Sequence, residues 1–316
     1  MSRVRVAICG CFAALLAGCS PEPIGIGIGW AIPVLAAEQP RDRTAFEFHW
    51  PVPSTVHVTE DATKRGTKTT ASYDVTLRPS DEEGVLVGRI ENYRIDWVDG
   101  MSAAALHPAA REQLVAMTAA IPGFLVRADG AFLGIADFDA FLDSMEDLRG
   151  PMPGLRAAME QPNLRLGFER QVGRFWRAWV ENWIGMNAVA GSSATIPFDA
   201  GQVSGIEMGS DLAAEPPRTE RAFRGWTAVG GQAHVTWRLQ WQPDAAVMRG
   251  LTGVVGADGA GVEGVARVRS TAEAVLDPAT LQPSSAYWAE EIEVEIDGRM
   301  EHRLERREYS FDWRAR

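Results

Sequence analysis

Thr69-Thr70-Ala71-Ser72-Tyr73-Asp74-Val75-Thr76-Leu77-Arg78 alternates without a slip: Ala71, Tyr73, Val75 and Leu77 share one parity, and Ser72, Asp74, Thr76 and Arg78 take the other. Successive side chains on a strand point to opposite faces, so this stretch reads as a half-buried antiparallel strand. Toward the C-terminus, 79–84 supplies a turn and 85–98 returns. On the return Leu86 and Ile90 hold one parity but Tyr93, Ile95 and Trp97 the other, which predicts a bulge or a sharp bend near Glu91. Toward the N-terminus, Phe46-Glu47-Phe48-His49-Trp50 and Val56-His57-Val58 alternate on either side of Pro51 and Pro53 and predict short edge strands.

The same period returns at the other end of the chain. Val235, Trp237, Leu239 and Trp241 alternate with His234, Thr236, Arg238 and Gln240, and 265–276, 285–296 and 299–313 form a meander whose last hairpin turns at Asp297-Gly298. Between these β regions the period changes. Pro108 suits a first helical turn, and Ala110, Leu114, Met117 and Ile121 follow at helical spacing until Pro122, predicting a helix over 109–121. Residues 124–127 and 131–135 flank Asp129-Gly130, a favoured hairpin turn. Asp137 is then placed to cap a helix whose stripe is Phe138, Phe141, Leu142, Met145 and Leu148.

Residues 166–184 carry the strongest aromatic signal. At 100° per residue, Val172, Phe175, Trp176, Trp179 and Trp183 fall on one side of a helix, with Arg170, Arg174, Arg177 and Glu181 opposite. An aromatic face of that size must be buried. It is either the lid of a packed core or the lining of a cavity for an apolar ligand, which makes Phe175, Trp176, Trp179 and Trp183 the candidate ligand-binding residues.

These patterns predict an α+β fold: a curved, mainly antiparallel, half-barrel-like sheet covered on one face by a few amphipathic helices. Pro151, Pro153 and Gly154 mark the clearest break, between 44–150 and 155–316. Tyr93-Arg94-Ile95-Asp96-Trp97 and Tyr309-Ser310-Phe311-Asp312-Trp313 end the two long returning strands alike, so 44–316 is either one enlarged sheet or two related halves. At 46% hydrophobic and 23% charged residues the 316-residue chain has the composition of a globular protein. The mature part contains no uncharged apolar run of the roughly 18 residues that a membrane-spanning helix needs.

The first residues read as an export signal. Arg3 and Arg5 precede an uncharged apolar stretch, 6–16, that ends in Leu15-Leu16-Ala17-Gly18-Cys19. The last four of these resemble the lipobox of bacterial lipoproteins. That resemblance implies cleavage after residue 18, diacylation of Cys19, and a tether over 19–43. The residue after the cysteine is Ser20, and the same resemblance then points to the outer membrane, facing the periplasm. Val34-Leu35-Ala36 offers an ordinary signal-peptidase site as the alternative, which would give a soluble periplasmic or secreted protein. All three cysteines, Cys9, Cys11 and Cys19, lie in this region, so the mature domain has no intrachain disulfide and no Cys-ligated metal. Losing Arg3 and Arg5 from 31 basic residues, against 42 acidic ones that all remain, takes the formal charge from −11 to −13. Such a surface repels nucleic acid and anionic headgroups, and attachment to a membrane falls to the acyl chains.

Few patterns point to catalysis. Gly259-Ala260-Gly261-Val262-Glu263-Gly264 spells a dinucleotide fingerprint, but Val265-Ala266-Arg267-Val268 reads as strand where that motif needs a helix, so 250–264 reads as a loop. Asp137, Asp139, Asp143, Glu146 and Asp147 read as the solvated face of a capped helix, not as a calcium loop. Glu291, Glu293 and Glu295 read as partners for Arg303 and Arg307 on the next strand. His49, His57, His107, His234 and His302 are scattered, and Ser192 and Ser193 lack a GxSxG elbow. The reading is therefore nonenzymatic, without metal or cofactor. The sheet, the helices and the lipobox together resemble the LolA/LolB-like half-barrel lipoprotein carriers of the bacterial envelope. The resemblance implies an anchored binding protein for a lipid or other apolar molecule. The alternative is a structural lipoprotein with a filled core and an envelope protein as partner. A hydrolase comes third.

Overall fold

The computed structural model describes residues 45–64, 66–112, 121–150, most of 156–187, 193–196, 218–227, 231–241, 262–296 and 299–313. The export signal, Cys19 and the tether, the turn at Asp297-Gly298, Ser192, Gly259 and Gly261 lie outside them.

The strands in chain order are β1 (Ser54–Lys64), β2 (Thr67–Pro79), β3 (Val85–Val98), β4 (Met101–Ser102), β5 (Gly123–Arg127), β6 (Phe132–Ala136), β7 (Ser193–Ile196), β8 (Arg218–Trp226), β9 (Ala233–Trp241), β10 (Val262–Leu276), β11 (Pro283–Ile296) and β12 (Arg299–Trp313). They form one unclosed antiparallel sheet in the order β6-β5-β3-β2-β1-β12-β11-β10-β9-β8-β7, with β4 paired to the end of β3. The fold is an α+β curved sheet. The break at 151–154 does not divide it, because β1 and β12 pair along nearly their whole length, from Val56 opposite Trp313 to Lys64 opposite Glu305.

Alternation gives the sheet one inner face. Val56 and Val58 of β1, Ala71, Tyr73, Val75 and Leu77 of β2, Val235, Trp237 and Leu239 of β9, and Tyr309 and Phe311 of β12 are all buried on it. β3 changes parity where the sequence predicts. Ser72 pairs with Arg94 but Asp74 with Glu91, so β3 spends an extra residue there, and Asn92 takes a positive φ of 54° to do it. The hairpin of β5 and β6 turns at Asp129-Gly130, with Gly130 at φ +92°.

Several expectations need correction. Val56-His57-Val58 belongs to an eleven-residue strand at the middle of the sheet, not to a short edge. Phe46 to Trp50 is extended but joins no ladder; Phe46 N–H donates to Met186 O at 2.9 Å and His49 N–H to Thr280 O at 3.1 Å, strapping three aromatic side chains into the core. β2 is buried on both faces at Ser72 and Thr76, and Arg94 and Asp96 both bond the Ser72 hydroxyl. β7 and β8 escape the alternation reading: β7 lies in a Gly/Ser/Pro-rich stretch, and β8 reads Arg218-Thr219-Glu220-Arg221-Ala222-Phe223-Arg224-Gly225-Trp226, where charge masks the period. β10 starts at Val262 and so takes the last three residues of the expected loop, and its continuation is strand.

Two helices are described in full, α1 (Phe138–Arg149) and α2 (Arg174–Trp179). The helix expected at 109–121 is seen at 108–112; 113–120 lie outside the described residues, and Ile121 is not helical. Asp137 occupies the cap position of α1 in a left-handed conformation, without a capping side-chain bond. Phe138, Phe141, Leu142 and Met145 of α1 bury their stripe against Ile135 and Phe168 in a satellite cluster. The continuous helix expected over 166–184 is broken at Gly173 and again at Val180, where φ −137° and ψ −61° end α2 before a 3₁₀ turn, Glu181–Trp183. Gly173 is needed there because the Phe132 ring lies 2.4 Å from where a Cβ would stand.

Candidate functional site

Cross-strand register lays out the inner face row by row. One row is Glu60, Tyr309, Ala286, Ala274 and Val235; the next is Ala62, Arg307, Trp288, Ala272 and Trp237; the third is Lys64, Glu305, Glu290, Ser270 and Leu239. Charges thus sit at positions whose parity is otherwise apolar. Val268 and Ile292 continue the same face beyond the third row. The result is a belt of buried charge across an aromatic and aliphatic core.

The belt is tightly bonded. Glu60 accepts from Tyr73 OH at 3.0 Å and from Arg307 Nη1 at 2.7 Å. Arg307 also donates to Glu305 Oε1, from Nη2 at 2.8 Å and from Nε at 3.1 Å. Glu305 further receives Arg174 Nη2 at 2.5 Å from α2, and Lys64 Nζ lies 3.0 Å from its other oxygen. The Arg174 guanidinium also lies 4.5 Å from the Trp288 ring centroid, a cation–π distance.

Glu290 and Glu305 stand directly opposite each other, an arrangement that like charges disfavour. The two respond in opposite directions. For Glu305 burial opposes the anion, but Arg174, Arg307 and Lys64 outweigh it and hold the carboxyl well below the usual range. For Glu290 burial prevails over the attraction of Arg174 and Arg177, and Glu305 adds repulsion, so its carboxyl is pushed up. Burial also pushes up the hydroxyls of Tyr73 and Tyr309, with the Glu60 carboxylate adding to both.

Trp176, Trp179 and Trp183 are part of the aromatic core, and Phe175 packs against it. The three indoles are 0% exposed. Trp176 packs on Trp50 at 5.0 Å, Phe124 at 5.5 Å and Phe48 at 5.8 Å, and its N–H donates to Gly130 O at 2.8 Å. Trp179 packs on Phe175 at 4.8 Å, Phe311 at 5.1 Å and Tyr309 at 5.2 Å, while Trp183 N–H donates to Ala178 O. The face opposite the aromatics is not a solvent face. Arg174 reaches the belt, and the Glu181 carboxylate accepts from Phe132 N–H at 3.1 Å. Where α2 meets the belt, Arg174, Arg177, Asn182, Trp237, Ser270 and Trp288 surround a space of about 10 Å³, the size of one water molecule. A larger cavity, about 290 Å³, opens where β3 runs on past the start of β5, between Arg89, Ile90, Gly123, Asp137 and Phe141.

Alternation reading missed the belt, although it held the signal. Glu60 and Lys64 share the parity of Val56 and Val58; Glu305 and Arg307 share that of Tyr309 and Phe311; Glu290 shares that of Trp288. The pairing expected between Glu291, Glu293 and Arg303 or Arg307 does not form, because the register sets Arg303 opposite Ile292 and so puts both arginines on the inner face. Glu291 and Glu293 meet Arg269 and Arg267 of β10 instead. With His302, whose Nε2 is 2.5 Å from Glu291, they form a group whose ligand atoms lie within 4.8 Å of one another. The neighbouring arginines make it an ion-pair cluster. On α1, Asp143 and Glu146 are both bound by Arg156. His57 Nδ1 lies 2.8 Å from Asp74, which also accepts from Asn92.

Comparison with protein-family models and with curated proteins gives no match for this chain. Among the described residues no helix is long and apolar enough to cross a membrane.

Proposed function

We propose that this chain is a nonenzymatic binding protein of the bacterial envelope, anchored by acylated Cys19, that holds a lipid or other apolar molecule against the inner face of its open sheet. The observation that carries this reading is the charged belt. Stability alone gives little reason to bury Glu60, Glu290, Glu305 and Arg307 among aromatic rings, since well-packed apolar residues do as well or better. A polar band in an otherwise apolar concavity is what positions a ligand. The lipobox supports the anchor, and the outer membrane is the expected site, with a soluble periplasmic form if the later cleavage site is used.

The second reading, a structural or partner-binding lipoprotein, is favoured by the complete burial of Trp176, Trp179 and Trp183 and by the exposure of Trp97 and Met101, 49% each, at the β3–β4 corner. Native mass spectrometry separates the two. The chain is exported without Cys19, purified without detergent and offered palmitate. Adducts of lipid mass, native or after loading, support the binding protein; spectra free of both across several preparations favour the second reading.

A further inference from the structure

Glu60, Glu305, Glu291 and Glu293 all meet arginines. The charges around the cavity beside β3 do not. That cavity, about 290 Å³, is lined by Arg89 and Glu91 of β3 and by Asp137 at the start of α1, with Ile90, Pro122 and Phe141 as its apolar wall. Among the described residues none of the three charged side chains has a hydrogen bond or an ion pair. Asp137 stands at the cap position of α1, yet its carboxylate does not cap the helix and stays available to the cavity. The backbone marks the same place. Four described residues other than glycine have a positive φ, and two of them are here: Asp137 at 56° in the wall and Asn92 at 54° beside Glu91. Asn92 forms the bulge of β3, and its Nδ2 donates to Asp74 at 2.9 Å, which fixes the strand where it presents Glu91. Bulges re-aim side chains next to binding sites, and left-handed residues that carry a Cβ gather at ligand clamps.

We propose that this cavity is a second binding site, for a free basic amino acid such as arginine or lysine. Arg89 takes the α-carboxylate, Glu91 and Asp137 take the two cationic groups, and Ile90, Pro122 and Phe141 line the path of the aliphatic stem. Charge selects this class of ligand. A simple anion would meet two carboxylates, and a simple cation would meet Arg89. One guanidinium against two carboxylates is complemented by a molecule with one carboxylate and two cations. Size agrees, since the cavity lies at the lower limit of roughly 300–1,000 Å³ for small-molecule sites, which suits a ligand no larger than an amino acid. None of the lining residues belongs to the charged belt or to the aromatic segment around α2, so the site does not rest on the lipid reading.

The test is isothermal titration calorimetry of the exported chain with three probes: L-arginine, agmatine, which is arginine without its carboxylate, and L-glutamate. Arginine is expected to bind with a Kd of about 10–100 μM, agmatine about tenfold or more weakly, the size of one charge-assisted hydrogen bond, and glutamate not measurably. Arg89→Gln should bring arginine down to the affinity of agmatine and leave agmatine unchanged. Glu91→Gln and Asp137→Gly should each weaken both by about tenfold. Asp137→Gly removes the carboxylate with a residue that accepts the positive φ, and circular dichroism checks that every variant folds. Three results overturn the site: no heat with arginine, glutamate binding as well as arginine, or folded variants that keep the wild-type affinities. Agmatine binding as tightly as arginine overturns it too, because Arg89 would then hold no carboxylate. The palmitate measurement is unaffected by any of these, so the two readings fail separately.

Discussion

Glu305 and Glu290 face each other across one register position, yet their substitution should act in opposite senses. Glu305 is the partner of three cations, so Glu305→Gln strands buried charge and should cost about 3 kcal/mol in urea unfolding at pH 7. Glu290→Gln should leave the midpoint unchanged or raise it, because burial already disfavours the Glu290 anion. The pH profile carries the same contrast. A carboxyl held low in the folded state stabilises fully above its unfolded value of about 4.3 and loses that contribution as pH falls toward its folded value. A carboxyl pushed up penalises the fold at neutral pH, and the penalty lifts as pH falls through its raised value. The wild-type midpoint should therefore rise slightly on mild acidification before it collapses, and Glu290→Gln should lose the rise but keep the collapse. A profile for Glu290→Gln superimposable on wild type would contradict this assignment. Trp179→Ala, which removes a fully buried ring from contact with Phe175, Tyr309 and Phe311, should cost about 3–5 kcal/mol in the same assay.

At the scale of elements, β1 is the hinge of the architecture. It is paired on both sides along nearly its full length, with β2 and with β12, while β6 and β7 close the described path with one neighbour each. Amide exchange should accordingly be slowest in β1 and β12 and fastest in β6 and β7, measurable by hydrogen–deuterium exchange with proteolysis. The junction of β3 and β5 depends on a glycine. Gly88 pairs directly with Phe124, and a Cβ on Gly88 would come within 2.1 Å of that ring. Gly88→Ala should destabilise by about 1–3 kcal/mol, and combining it with Phe124→Leu should cost less than the sum of the two single changes.

For the whole molecule, the ladder between β1 and β12 joins residues from the two ends of the folded region, so the sheet exists only when both are present. Fragments 45–150 and 155–316 expressed separately should lack the cooperative unfolding of the full chain. A cooperative transition in either fragment would show that the β1–β12 ladder is dispensable. The two segments also differ in connection. In the first, a helical turn and a short helix stand between β4 and β5, while β8 to β12 are consecutive neighbours in the sheet, so the Tyr-x-x-x-Trp likeness of β3 and β12 is not accompanied by a repeated strand order among the described residues. On the anchored reading proposed above, Cys19→Ala should move the protein from the membrane to the soluble periplasmic fraction, read by fractionation.

Local periodicity was enough to set the strands β2, β3 and β9 to β12, the bulge near Glu91, the Asp129-Gly130 turn and the α+β class, because a two-residue period and turn chemistry are properties of neighbouring residues. Neighbours do not determine partners. That β1 lies at the centre, that Arg307 answers Glu60 and Glu305 instead of Glu291, and that Arg174 is buried in a belt of charge all follow from register between strands far apart in sequence. The aromatic stripe was legible residue by residue, but its surroundings were not: the Phe132 ring lies against Gly173, and Arg174 reaches Glu305 of the belt. Alternation tells which side chains turn inward; only the assembled sheet decides what each one meets there.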